Sequence, residues 1–133
     1  MVTAATLSGT ERRAYVEGLR RRPRLPPEVR RVVEERREAA MRLTRAAADR
    51  LRALGATRVM LFGSLARGTD FDEHSDIDLM VWGLGAADYL DALDHVSGRA
   101  GPAGDPPIKI DVVRGEAAKP RVLEQVRREG VAV

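Results

Sequence analysis

The chain has 133 residues, which suits one domain, and its 44% content of hydrophobic residues predicts a folded protein with a modest core. The absence of cysteine excludes disulfides, thiolate nucleophiles and cysteine-ligated zinc. The net charge of +3 is divided unevenly along the chain. Residues 1–54 carry 14 basic and 7 acidic residues (+7), and residues 55–133 carry 9 basic and 13 acidic residues (−4). This division favours an acidic partner for the first part and the binding of cations by the second.

The first 27 residues are predicted to form a helical arm with a proline-rich connector, followed by a domain over residues 28–133. Ser8-Gly9-Thr10-Glu11 has the spacing of a capping box, which predicts a helix start, and the prolines from Pro23 onward end that helix. Met1–Gly9 lacks the basic stretch and apolar core of a secretory signal. No apolar run approaches the ~20 residues that a membrane helix needs. We therefore expect a cytoplasmic protein with no membrane partner.

Residues Glu28–Leu54 are predicted to form a long amphipathic helix that stops at Gly55. Its apolar residues recur at three-, four- and seven-residue steps on one side: Val29, Val33, Ala40, Leu43, Ala47, Leu51 and Leu54. The opposite side carries arginines interleaved with glutamates: Arg30, Arg31, Arg36, Arg37, Arg42 and Arg45. Because the acids are interspersed and aromatics are absent, we interpret this side as solvated ion pairs rather than as a nucleic-acid surface.

After Gly55 the pattern changes to short, β-rich runs that alternate with helices. Strands are predicted at Thr57–Phe62, Asp76–Trp82 and Ile108–Val113, with an edge strand at Val131–Val133. Helices are predicted at Gly85–Ser97 and Lys119–Glu129, the first with Tyr89, Leu90, Leu93 and Val96 on its buried side, and residues 101–107 are predicted to be a loop. This alternation indicates an α/β or α+β domain.

The first of these strands ends at Gly63-Ser64, where a short helical turn is predicted to follow. Glycine lets the backbone approach a ligand closely, the amide groups of such a turn bind anions, and Ser64 adds a hydroxyl donor. A Gly-Ser pair alone usually makes only a turn, so this phosphate seat depends on its neighbours. Arg67 could reach a phosphate, or pair with Asp70 or Asp72 to hold the loop.

The second strand places two acids on one face. Side chains alternate along a strand, so Asp76 and Asp78 share a face that continues into Met80 and Trp82. Aspartate is disfavoured in strands, and a solvent-facing side would stay polar beyond its first two positions. We infer a strand that is covered on both faces, with its first end opening into a site. The two aspartates would lie roughly 6.6 Å apart along it.

A third acid, Asp111, is the only acid in the predicted strand at Ile108–Val113 and is the natural third ligand. Carboxylates grouped in this way can share metal ions spaced ~3.5–4 Å apart. A ligand set of oxygens without histidine or cysteine selects Mg²⁺ or Mn²⁺. Lys109 would share the face of Asp111, where a local ion pair is the favoured interpretation.

This combination of Gly63-Ser64, Asp76-Ile77-Asp78 and Asp111 resembles the DNA polymerase β-like nucleotidyltransferase superfamily. Within it the chain resembles the minimal nucleotidyltransferases, including the MntA-type antitoxins of HEPN/MNT toxin–antitoxin pairs. The resemblance covers about residues 55–133 and, more weakly, the preceding helix. It implies a nucleotidyltransferase fold, in which helices pack on a small mixed β-sheet. Eleven residues, 65–75, separate Ser64 from Asp76, whereas the commonest minimal proteins have ten. The extra residue falls in a loop, where insertions are tolerated.

The resemblance also implies roles for these residues. Asp76 and Asp78 would bind two Mg²⁺ ions that carry ATP. Asp111 would bind the catalytic metal and help to deprotonate the attacking hydroxyl. Gly63 and Ser64 would hold the β- and γ-phosphates, and Arg67 is placed with them as a nucleotide-binding residue. The implied partner is a small helical HEPN-family toxin, to which the protein would add AMP at a tyrosine and so act as an antitoxin.

Two other interpretations of the function remain open at this point. The first is a non-catalytic antitoxin that neutralises its partner by covering it, and the second is an aminoglycoside-type nucleotidyltransferase for small molecules. A nucleic-acid partner is not expected, and a homo-oligomer is left open.

Overall fold

The structure, a computed structural model, describes residues 25–68, 71–72, 74–96, 98–100 and 106–133. The chain divides into two compact units, residues 1–30 and 31–133. The helix predicted to start at Ser8 lies outside the described residues, and the domain boundary predicted between residues 27 and 28 stays a prediction. Among the described residues there is no helix with the length and apolar content to cross a membrane.

Helix α1 runs from Pro27 to Ala53 and confirms the predicted long helix. Gly55 follows it with a φ of 115°, a conformation that side chains other than glycine rarely adopt. The Gly55 N–H donates to the Arg52 carbonyl at 3.0 Å, and the Ala56 N–H donates to the Leu51 carbonyl at 3.0 Å. This is the Schellman arrangement, which satisfies the last carbonyls of the helix and turns the chain towards the first strand.

The strands of the described residues are β1 (Arg58–Phe62), β2 (Ile77–Trp82), β3 (Gly98–Ala100), β4 (Ile108–Arg114) and β5 (Val131–Ala132). They form one sheet in the order β3-β4-β2-β1-β5. The central strand, β2, pairs antiparallel with β1 and parallel with β4, so the sheet is mixed. The other helices are α2 (Ser64–Arg67), α3 (Ala86–Val96) and α4 (Pro120–Glu129). The predicted α/β architecture, including its edge strand at the last residues, is confirmed.

One face of the sheet packs against α1 and α3. The β2 side chains on this face, Ile77, Leu79 and Val81, are completely buried. The cluster around them takes four alanines from the helices, which let the helix backbones approach the sheet closely, together with Leu51 of α1 and Val96 of α3: the alanines are Ala40, Ala47 and Ala48 of α1 and Ala92 of α3. This is the larger of the two apolar clusters.

Helix α4 covers the other face of the sheet. Met60, Phe62, Met80 and Val126 form the buried part of this second cluster, and Trp82, Val113, Ala118 and Val122 pack against it. The Arg58 guanidinium lies 4.7 Å from the centre of the Trp82 ring at the far end of this face. Strand β2 is therefore covered on both faces, as its apolar pattern predicts.

The structure differs from the sequence-based expectation at two points in and around α3. Leu90, predicted to be buried, is 63% exposed, because the inward positions of α3 are Tyr89, Ala92, Leu93 and Val96 and Leu90 lies outside that stripe. Strand β3 pairs with β4 but is not predicted, since Gly98-Arg99-Ala100 contains no β-branched or aromatic residue.

The prediction that the arginine side of α1 is solvated is wrong at Arg36. This side chain is only 5% exposed, and its Nη1 donates to the Pro106 carbonyl at 2.6 Å. A buried guanidinium is costly unless it is hydrogen-bonded, and these bonds to the carbonyls fasten α1 to the segment that enters β4. Position on the helix alone does not distinguish such an arginine from its solvated neighbours.

The packing of α1 on the sheet gives a first prediction. Leu51 is fully buried, so Leu51→Ala should lower the free energy of unfolding by about 2–5 kcal/mol, because it removes apolar contacts and leaves a cavity. Urea denaturation measures the change. Leu90→Ala is the matched control, and its exposed side chain should give a change below about 0.5 kcal/mol. Equal effects of the two substitutions would contradict this assignment of the core.

Candidate functional site

Two of the predicted acids meet across neighbouring strands. In the parallel pairing of β2 with β4, Asp78 lies directly beside Asp111, and in the antiparallel pairing of β2 with β1 it lies beside Phe62. Partners in register point to the same face, so Asp78 and Asp111 both lie on the face that α4 covers. Asp76 lies one residue before β2 begins. The structure thus brings all three acids to one end of this face, which we call the acidic row (Asp76, Asp78 and Asp111).

The loop before Asp76 is held by its own side chains. The backbone N–H of His74 donates to Asp72 Oδ1 at 2.8 Å, and the Ser75 hydroxyl lies 3.2 Å from the same oxygen. The hydrogen bond from the His74 backbone is the main cause that lowers the pKa of Asp72 below its ordinary value. Asp72 therefore stays ionised and fixes the turn that delivers the chain to Asp76.

Gly63 and Ser64 lie at the end of β1 next to the acidic row. Gly63 has a φ of 81°, and a Cβ built on it would collide with Oδ2 of Asp78. Glycine is required here on both counts, because it permits the turn and lets the backbone contact the carboxylate. Helix α2 follows at once, with the Arg67 N–H donating to the Gly63 carbonyl at 3.1 Å. The predicted turn is confirmed, while the phosphate-binding role of Gly63 and Ser64 stays a prediction.

The acidic row is electrostatically strained at its centre. Burial is the main cause that raises the pKa of Asp78 to about 6, and the neighbouring charges of Asp111 and Asp76 contribute to the same shift, whereas the Arg67 guanidinium acts in the opposite direction. A carboxylate that is costly to ionise, beside two others, is stabilised when a cation joins the group. This observation fits a divalent metal held by oxygen ligands.

Asp111 also forms an ion pair with a residue of its own strand. Lys109 Nζ lies 3.3 Å from Asp111 Oδ1, which confirms the local pairing expected for Lys109. Over the described part of the chain, no three acidic or histidine side chains converge closely enough to enclose one metal ion. Both members of the pair are partly exposed, so a metal can exchange with Lys109 at little cost. The oxygen ligands that these three acids offer suit Mg²⁺.

Arg67 has a partner that the sequence did not predict. Its Nη1 lies 2.7 Å from Glu129 Oε2, at the end of α4, and not against Asp72. Asp70, the other partner considered, lies outside the described residues. The same Glu129 carboxylate accepts the backbone N–H of Gly63 at 3.3 Å. The sequence offers one sign of this contact: Glu129 is an acid in the last turn of a helix, where the helix dipole disfavours negative charge.

The family described as polymerase beta, nucleotidyltransferase, matches residues 55–133, which is more than half of the chain. The chain belongs to this nucleotidyltransferase family. The match includes the Gly63-Ser64 turn, Arg67 and the whole acidic row. The predicted family, fold and enzyme class are therefore confirmed.

Several solved structures are also similar to this nucleotidyltransferase. A protein described as a candidate minimal nucleotidyltransferase is 28% identical, with a TM-score of 0.49 over 77% of this chain and 94% of that chain. A candidate nucleotidyltransferase from Sulfolobus solfataricus is 18% identical, with a TM-score of 0.48 over 75% and 84%. A toxin–antitoxin structure with AMP-PNP is 22% identical, with a TM-score of 0.45 over 65% and 69%. No curated protein matches the chain.

The raised pKa of Asp78 predicts a specific dependence of stability on pH. Because the folded pKa of about 6 exceeds the ordinary 3.8, the native state holds more protons than the unfolded state between these values. Stability contributed by protonated Asp78 is therefore complete below about pH 4 and is lost as the pH rises through about 6. Asp78→Asn lacks this titration, so its stability relative to the unsubstituted protein should rise from about pH 4 to about pH 7.

Urea denaturation in EDTA at several pH values measures this difference. Asp72→Asn is the matched control, because the pKa of Asp72 is lowered and its contribution to stability is instead lost on acidification. Relative to the unsubstituted protein, Asp78→Asn should therefore gain stability between about pH 4 and pH 7, whereas Asp72→Asn should lose stability only as the pH rises towards 3.8 and should stay level above it. A constant difference between Asp78→Asn and the unsubstituted protein at all pH values would contradict the assigned electrostatics.

Proposed function

We propose that this nucleotidyltransferase transfers AMP from Mg²⁺-bound ATP to a hydroxyl group, with the acidic row as its catalytic centre. The observation that carries the proposal is the register of β2 and β4, which sets Asp78 directly beside Asp111 on a buried face. The raised pKa of Asp78 supports it, because such a cluster gains stability when cations bind. Asp76, Asp78 and Asp111 are the proposed metal ligands.

The proposed nucleotide seat is the turn beside the acidic row. The Gly63 backbone contacts the carboxylate of Asp78, so phosphates bound at this turn would lie next to the metal ligands. Ser64 would donate its hydroxyl, and Arg67 would add its guanidinium, to the β- and γ-phosphates. The effect of the Arg67 charge on the pKa of Asp78 supports this placement, since it shows that the guanidinium lies near the site.

The proposed reaction is an in-line displacement at the α-phosphorus of ATP. The acceptor oxygen forms a bond to this phosphorus, and the bond to the bridging oxygen of the β-phosphate breaks, so that pyrophosphate leaves. Asp111 would receive the proton of the acceptor hydroxyl, and its partial exposure leaves it accessible to that group. Two bound Mg²⁺ ions would supply charge stabilisation for the attacking and leaving oxygens.

We further propose that the acceptor is a tyrosine of a small helical HEPN-family toxin, which the modification would neutralise. The resemblance of the sequence motifs to those of MntA-type antitoxins supports this choice. Occlusion without catalysis, and transfer to a small hydroxyl compound, are the competing outcomes of the test. In that test the protein is incubated with ATP, Mg²⁺ and a HEPN-family toxin, and the toxin is examined by intact-mass measurement.

The proposed function gives a prediction for the acidic row. Asp76→Asn, Asp78→Asn and Asp111→Asn should each reduce Mg²⁺-dependent transfer from α-labelled ATP by roughly a thousandfold, because charge stabilisation by metal ions contributes several kcal/mol. Asp49→Asn is the matched control, since this side chain is 82% exposed on α1 and pairs only locally with Arg52, and it should leave the rate unchanged.

Three results would each overturn a different part of the proposal. Transfer that persists in all three variants would remove the acidic row from the mechanism. Neutralisation of the toxin by Asp76→Asn without any AMP-sized mass increment would identify occlusion instead. Modification of an aminoglycoside by the purified protein, with none of the toxin, would identify a small-molecule enzyme.

A further inference from the structure

Glu129 brings the end of α4 into contact with the proposed nucleotide seat. Its carboxylate accepts hydrogen bonds from Arg67 Nη1 at 2.7 Å, from the Gly63 backbone N–H at 3.3 Å and from Gln125 Nε2 at 2.5 Å. Gly63 and Arg67 begin and end the turn that contains α2. One carboxylate therefore holds both ends of this turn, from a part of the chain more than 60 residues away.

Local preference does not account for an acid at this position. Glu129 ends α4, where the helix dipole favours cations, and Arg127 and Arg128 in the same turn follow that preference. Its side chain is only 17% exposed, and a carboxylate withdrawn from water is costly unless it is hydrogen-bonded. The hydrogen bonds from Arg67, Gly63 and Gln125 therefore provide the stabilisation that the end of the helix does not give to an acid.

These contacts keep Glu129 ionised. Burial raises the pKa of Glu129, but the hydrogen bonds from Arg67 and Gln125 outweigh it, so that the pKa lies below its ordinary value. Gln125 lies one helical turn earlier and fixes the Glu129 side chain from behind. The carboxylate is thus a fixed anion that faces the proposed nucleotide seat.

The Arg67 side chain gains most from this arrangement. Its side chain is 42% exposed, and a long cationic side chain at such a position samples many rotamers unless it is held. Glu129 engages one end of the guanidinium, whereas the effect of Arg67 on the pKa of Asp78 places the same group near the acidic row. A guanidinium carries five N–H donors, so a contact with Glu129 is compatible with donation to a phosphate.

We propose that Glu129 is a positioning residue for nucleotidyl transfer: it holds the Arg67 guanidinium and the Gly63 turn in the arrangement that receives the triphosphate. This inference rests on the proposed function of the acidic row and its neighbouring seat. Holding these groups in advance removes an ordering cost from binding, so Glu129 increases affinity for the triphosphate although it carries a negative charge.

The charge of Glu129 allows a sharp test, because the opposite role predicts the opposite result. If the carboxylate merely occupied the seat that phosphates need, its neutralisation would tighten binding of the triphosphate. If it positions Arg67, its neutralisation weakens binding, since a charge-assisted contact is replaced by a neutral one. The direction of the change in affinity therefore decides between the two roles.

The experiment measures the Kd of Mg²⁺–AMP-PNP by calorimetry for the full chain and its variants. Glu129→Gln should raise the Kd by roughly tenfold, the loss expected for one such contact, with a thermal midpoint close to that of the unsubstituted protein. In an Arg67→Ala background, Glu129→Gln should raise the Kd by a smaller factor than it does alone, because only the contact with the Gly63 turn is then left to weaken. Glu124→Gln, on the exposed side of the same helix, is the matched control and should leave the Kd unchanged.

A second variant covers the case in which Glu129→Gln does not fold. Gln125→Ala leaves the carboxylate in place but removes its support, and it should raise the Kd in the same direction by a smaller factor. An unchanged or lower Kd in Glu129→Gln, or additive effects of Glu129→Gln and Arg67→Ala, would overturn the positioning role. Failure of the unsubstituted protein to bind Mg²⁺–AMP-PNP would instead overturn the proposed function, and the inference with it.

Discussion

The mutual repulsion of three carboxylates at the end of a covered sheet face is the constraint that the charged side chains around the acidic row have to offset. Two unit charges ~4 Å apart repel by about 4 kcal/mol at an effective dielectric near 20. In the described residues this repulsion is met by cations from two directions, with Lys109 paired to Asp111 and the Arg67 charge acting on Asp78. The same repulsion is what makes the group receptive to divalent metal.

The mixed sheet brings the residues of the acidic row together. A parallel neighbour sets Asp111 beside Asp78 in register, and an antiparallel neighbour ends at the Gly63 turn against the same carboxylate. Helix α4 covers the apolar rest of this sheet face and ends at Glu129, beside the Gly63 turn. The proposed metal ligands Asp78 and Asp111, and the supporting residue Glu129, therefore lie on strands and a helix, which hold them more accurately than loops do.

The residues that could be predicted from the sequence are those that interrupt the apolar pattern of a strand. Asp76 and Asp78 stood out as acids at the start of an otherwise apolar strand, and Gly63 stood out as glycine at the end of one. Other features depend on neighbours distant in the chain. Glu129 and the buried Arg36 look like surface residues of amphipathic helices until the structure shows their partners. Strand β3 exists because β4 offers it an edge to pair with, and Gly98–Ala100 has no strand propensity that would indicate this.

The parallel pairing of β2 with β4 also has a consequence for folding. Parallel strands cannot be joined by a tight hairpin, so Asp78 and Asp111 meet only after the intervening chain has crossed over through α3 and β3. Closing so long a loop costs chain entropy, which slows the formation of parallel pairs. If Asp78 and Asp111 meet after the rate-limiting step of folding, their mutual repulsion acts mainly on the rate of unfolding. Substitutions in the acidic row then change the rate of unfolding more than the rate of folding.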